Sequence, residues 1–110
     1  MTELPVRELT ALLRSLAEPA VLLDVREPWE VALAPLEVAG ATSPRIPMQD
    51  LPARLAELEP ARTLVCVCHH GVRSRHVAAW LERAGFDDVH NLAGGIDAWS
   101  AEVDPAVPRY

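Results

Sequence analysis

The sequence predicts an α/β fold, with a mostly parallel central sheet and helices on both faces. Two observations carry that expectation. Short continuous apolar runs, AVLLDV at 20–25 and TLVCV at 63–67, read as strands buried on both faces. Segments with helical apolar spacing alternate with them, and strand–helix–strand order implies right-handed crossovers in a parallel sheet. The 110 residues suit one domain, and half of them are hydrophobic, as in a folded globular chain.

Taken in order, residues 6–17 read as a helix, with Leu9, Leu12, Leu13 and Leu16 on one face and Glu18-Pro19 as its stop. The strand 20–25 follows and ends in charge. Pro28 suits the first turn of a short helix over 28–33. Residues 34–47, with three prolines and a glycine, read as loop with a short strand around 41–45. A helix over 50–58 is expected, with Asp50 as N-cap and Pro52 in the first turn. After the strand 63–67, residues 72–84 read as a helix closed by Gly85. A short strand over 88–92, a last helix over 96–103 entered through Gly94-Gly95, and an extended surface tail over 104–110 complete the chain.

Net charge is −6, which argues against nucleic acid or an anionic membrane as partner. All ten basic residues are Arg, so P-loop and Schiff-base lysine chemistry are excluded. No apolar run approaches the ~20 residues of a membrane span. The opening MTELPVRELT has no apolar h-region, so no secretory leader is expected and the expected location is the cytoplasm. Two cysteines are too few for a disulfide framework. On one strand Cys66 and Cys68 would have Cα atoms ~6.6 Å apart with parallel Cβ directions, a strained geometry for a bridge, so two thiols are expected.

The stretch VCVCHHGVRS, 65–74, concentrates the chemistry. Cys68 ends a buried strand, and Arg73 stands five residues later in the first turn of a helix. A loop between them can curl its N–H groups toward one point, and such a nest at a helix N-terminus favours an anion and a thiolate. Gly71 supplies a backbone angle the tight loop needs. Cys68 is therefore the candidate nucleophile and the loop a candidate oxyanion cradle. Cys66 reads as a small core hydrophobe, with a resolving thiol as the less favoured alternative. A metal site is not expected: neighbouring Cys66, Cys68, His69 and His70 cannot all converge from an extended strand, and His76 and His90 are isolated.

CHHGVRS after an apolar strand resembles the active-site loop of single-domain rhodaneses, bacterial-type sulfurtransferases. The resemblance spans nearly the whole chain, through LLDVREPWE at 22–30, IPMQDLPARLAEL at 46–58, AGF at 84–86 and NLAGGIDAW at 91–99. It implies one rhodanese-like domain over 1–110, a sheet of about five strands, and thiosulfate sulfurtransferase chemistry with no cofactor and no metal. Cys68 would attack the outer sulfur of a small-molecule donor such as thiosulfate and carry it as a persulfide to cyanide or a thiol, a protein thiol included. His69, His70, Gly71, Val72 and Arg73 would bind the donor; Asp24, Arg26 and Ser74 would support the loop. Related phosphatases use a Cys-to-Arg loop one residue longer, so four intervening residues favour sulfur over phosphoryl transfer. A rhodanese-like binding or relay module without turnover is the other alternative; such modules usually lack the cysteine that is present here. One departure concerns the family's GHIPGA-like segment: here 33–47 keeps Gly40-Ala41 but lacks the His, which implies a different pocket edge.

Overall fold

The computed structural model describes residues 1–110. Its elements are β1 (Thr2–Pro5), α1 (Leu9–Ser15), β2 (Ala20–Asp24), α2 (Pro28–Leu33), β3 (Ala41–Thr42), α3 (Leu51–Arg54), β4 (Thr63–Val67), α4 (Val72–Arg83), β5 (Asp88–Ala93) and α5 (Gly95–Glu102). The five strands form one sheet, all parallel, in the order β1-β5-β4-β2-β3. The carboxyl ends of β2, β4 and β5 therefore open on one edge, where α/β sheets place ligands.

Alternation along the strands splits the interior into two cores. Val65 and Val67 of β4 and Leu22 of β2 join Leu9, Leu13, Ile96 and Trp99 from α1 and α5 on one face. Leu64 and Cys66 of β4 and Leu23 of β2 join Leu51, Val77, Ala78 and Leu81 from α3 and α4 on the other. Both faces being covered explains why β2 and β4 read as continuous apolar runs. No helix is long and apolar enough to cross a membrane.

Four local expectations need correction. The sequence shows no strand before residue 20, yet Thr2–Pro5 pairs with β5, Thr2 opposite His90 and Leu4 opposite Leu92. The helix expected over 6–17 is a 3-10 turn at Val6–Glu8 followed by the shorter α1. Asp50 does not cap a helix over 50–58: it ends a 3-10 turn with its own N–H bonded to the Pro47 carbonyl, its side chain caps nothing, and α3 gives way to another 3-10 turn at Leu55–Glu57. The tail 104–110 is no plain extended strap. It turns at Asp104, whose carboxylate accepts from the Ala106 N–H, and packs Val107 and Tyr110 against the first core. The expected strand around 41–45 is the short β3 plus a single bridge between Asp24 and Arg45.

Candidate active site

Cys68 leaves the end of β4 and is only 1% exposed. Its Sγ lies 3.1 Å from the Gly71 N–H, 3.4 Å from the Ser74 N–H and 3.2 Å from the Ser74 hydroxyl. These groups belong to the loop and first turn of the 12-residue α4, so the sulfur sits at a helix N-terminus among donors that suit an anion. The Ser74 hydroxyl is also 2.5 Å from Asn91 Oδ1. It has one proton, so it donates to Asn91 or to the sulfur, not to both at once. Asn91 in turn donates to the Gly71 carbonyl at 3.1 Å and to Glu3 at 2.9 Å, tying the loop to β5 and β1.

The loop is fixed from below by α5. The Ile96 and Asp97 N–H groups donate to the carbonyls of Cys68 and His69 at 2.9 and 3.0 Å. That approach requires Gly95: its φ is +59°, and a Cβ there would stand 2.3 Å from the Cys68 carbonyl oxygen and 2.6 Å from that of His69. Gly95→Ala must push the loop away or refold the entry to α5. The expected result is a stability loss of about 2 kcal/mol or more, read by urea unfolding, together with lower reactivity of the Cys68 thiol toward an alkylating reagent.

Charged groups fasten the loop from the side. Arg26 is 1% exposed. It pairs with Asp24 through Nε at 2.9 Å and Nη2 at 2.7 Å, and donates to the Ala34 carbonyl at 2.8 Å and the Tyr110 hydroxyl at 3.0 Å. Arg73 is not free at the mouth. Its Nη1 and Nη2 grip both oxygens of Glu30, at 2.6 and 2.8 Å. Glu30 is buried in the first turn of α2 and also accepts from the Glu27 N–H and the Tyr110 hydroxyl.

The Arg73 guanidinium holds the Glu30 carboxyl down at about 2 against the effect of its burial, with the Tyr110 hydroxyl assisting. A carboxyl with a depressed folded-state value stabilises the fold above its ordinary value of 4.5, and that stability is lost as pH falls from there toward about 2. Acid titration of the unfolding free energy should lose up to about 3 kcal/mol in that window through Glu30. Glu30→Gln should flatten this part of the curve; a Gln variant with the same acid slope would show that Glu30 does not carry it.

The histidines differ. His70 is exposed, 4.0 Å from Asp97. His69 is half-buried, its ring stacked between His70 at 3.9 Å and Tyr110 at 3.8 Å between centroids. Burial, then the neighbouring His70, holds the His69 imidazole below its ordinary value, so it is neutral at neutral pH. His69, His70 and Asp97 place ligand atoms within 4.8 Å of one another. Stacked imidazoles do not converge on one ion, however, and Asp97 is gripped by both Nε and Nη2 of Arg109, so the trio is a poor metal cage. Cys66 lies in the core below, and burial, reinforced by Cys68, pushes its thiol up; both cysteines are unbridged. Val72 stands exposed at the start of α4. A cleft of about 510 Å³ between α2 and Pro47 contains Arg26 but no residue of the Cys68 loop.

Sequence reasoning passed over three site residues. Glu30 lay inside a quoted motif but received no role of its own. Asn91 is a polar residue with no exposure in the middle of a strand, a pattern that marks a committed hydrogen-bonding role. Tyr110 carried no local signal.

The sequence model for the Rhodanese-like domain matches residues 8–102. The chain belongs to the rhodanese-like domain family. A sulfurtransferase of Allochromatium vinosum is 36% identical over 90 residues, 82% of this chain and 80% of that protein. The Rhodanese-like/PpiC domain-containing protein 12 of Arabidopsis thaliana is 38% identical over 101 residues, and this rhodanese-like chain spans 31% of its length. The crystal structure of a rhodanese-like domain protein from Staphylococcus aureus superposes with a TM-score of 0.78 at 31% identity, covering 94% of this chain and 95% of that one.

Proposed function

We propose that the chain is a sulfurtransferase in which Cys68 carries sulfane sulfur between a small donor and a thiol or cyanide. The single observation behind this reading is the pair of N–H donors gathered on the Cys68 sulfur, from Gly71 at 3.1 Å and Ser74 at 3.4 Å. With thiosulfate, the Cys68 thiolate attacks the outer sulfur, the S–S bond of the donor breaks, and sulfite leaves with the electron pair. The product is Cys68–S–S⁻, and the same donors suit the charge on its terminal sulfur. Cyanide then attacks that sulfur, thiocyanate leaves, and the thiolate returns. No oxidant or base is consumed, and no cofactor or metal is needed.

In this reading the residues around Cys68 have different tasks. Gly71 and Ser74 hold the sulfur; Asp24 and Arg26 brace the frame. Arg73, engaged by Glu30, contributes its field and the position of the α4 entry rather than a free guanidinium. His70 is the exposed polar group left to meet an anionic donor, with neutral His69 beneath it. Two unbridged thiols fit a reducing compartment such as the cytoplasm.

The deciding experiment is the intact mass of the reduced protein after thiosulfate, with peptide mapping, before and after cyanide. Gain of one sulfur on Cys68, released as thiocyanate, is the expected result. No gain with any sulfane donor would overturn the reading. One observation favours a protein as acceptor: Val72 at the start of α4 is 55% exposed, and Trp29 at the start of α2 is 62% exposed, so apolar surface flanks the site.

A further inference from the structure

Tyr110 touches the loop at His69 and reaches Arg73, beyond its other end, through Glu30. Its ring lies 3.8 Å from that of His69, the residue after Cys68, with the planes 13° apart. Its hydroxyl donates to Glu30 Oε2 at 2.9 Å, and the same oxygen accepts from Arg73, in the first turn of α4, at 2.8 Å. The hydroxyl also accepts from Arg26 Nη1 at 3.0 Å. One phenol thus joins the two arginine–carboxylate pairs, Asp24–Arg26 and Glu30–Arg73, and closes the aromatic stack over His69. Trp29 meets the outer side of the ring edge-on at 6.3 Å. Burial pushes the phenol up to about 12, so it stays neutral and can donate and accept together.

Tyr110 follows a short segment without helix or strand, held mainly by side chains. The Ser100 hydroxyl donates to the Val107 carbonyl, Arg109 pairs with Asp97 on the surface, and Val107 leans on the first core. A segment that pairs with no strand can move without unfolding the sheet. Cys68, next in the chain to the His69 that Tyr110 stacks on, is 1% exposed, so a donor or acceptor reaches it only if something at the mouth gives way.

We propose that Tyr110 is a positioning residue that sets access to Cys68, bracing the loop through His69 and Glu30 and admitting small reactants in preference to bulky ones. The inference rests on the sulfur-transfer reading, because it concerns which donors and acceptors reach the persulfide. Removing the ring should widen the mouth, so that a bulky thiol gains as acceptor relative to cyanide.

The test is alkylation of the full chain by iodoacetamide and by a bulky fluorescein maleimide, with each cysteine followed by peptide mass. The ratio of bulky to small rates at Cys68 cancels the thiolate fraction and reports access. Tyr110→Ala should raise that ratio threefold or more while buried Cys66 stays unlabelled. A smaller gain overturns the proposal. If Tyr110→Ala exposes Cys66 as well, Tyr110→Phe decides, since it keeps the ring and loses both hydroxyl bonds. A ratio raised twofold or more then supports the brace, and a smaller change overturns it. Alkylation needs no sulfur donor. A chain that takes sulfur from no donor yet shows the gain loses the catalytic reading and keeps the brace; unchanged alkylation in a chain that forms the persulfide does the reverse.

Discussion

Cys68→Ser is expected to lower sulfur transfer by about a thousandfold or more while leaving the fold intact. An alkoxide is far less available than a thiolate at neutral pH, and an oxygen cannot hold the transferred atom as a persulfide. The smaller Ser hydroxyl can still take bonds from Gly71 and Ser74, so the loop keeps its anchors. Cys66→Ser is the matched control. It places a hydroxyl in the core two residues away, at a stability cost of about 1–3 kcal/mol, and should leave turnover near the parent value. Circular dichroism separates folding from chemistry in both variants. Transfer retained by Cys68→Ser, or lost by a folded Cys66→Ser, would overturn the assignment of the nucleophile.

How far the sequence disclosed this arrangement depends on the range of the forces involved. β2 and β4 were legible because both faces of each strand are buried, which forces a continuous apolar run. The boundaries of α2 were legible because Pro28 can only begin a helix there. β1 was not, since an edge strand of four residues buries only Leu4 and is held mainly by its pairing with β5. Asp50 misled for a related reason. Its sequence suits an N-cap, but the chain before it is tied to the end of β2 by the Ile46 N–H bond to the Asp24 carbonyl, and a 3-10 turn takes up the geometry.

The site divides in the same way. Cys68, Gly71 and Ser74 are close in sequence, so spacing alone brought them together. Arg73 read as an open cation because its partner lies 43 residues earlier, and the contact is visible only after β2 and β4 have paired. Tyr110 is separated by 80 residues from Glu30 and by 84 from Arg26. No periodicity or turn chemistry encodes a bond of that kind. What local sequence specifies here is the proposed nucleophile; what the fold adds is the charged frame that holds its loop.

That frame makes Asp24→Ala the substitution with the largest expected cost in stability. Arg26 has no exposed route for its charge, and Asp24 is its only carboxylate partner. Removing one member of a buried pair leaves the other charge uncompensated, at about 3–5 kcal/mol. A domain of this size has about 5–15 kcal/mol in all, so the variant should be near the limit of folding. Urea unfolding should show a large fall in midpoint with an unchanged slope. The double variant Asp24→Leu, Arg26→Met removes both charges and should recover much of that loss, since apolar replacement of a buried pair is often neutral or better. It should not recover the loop. The Ala34 carbonyl and the Tyr110 hydroxyl lose the guanidinium donors that order them, so the double variant should fold and still transfer sulfur slowly. Full activity in the stable double variant would mean that the pair serves the fold alone; low activity with restored stability would assign it to the loop as well.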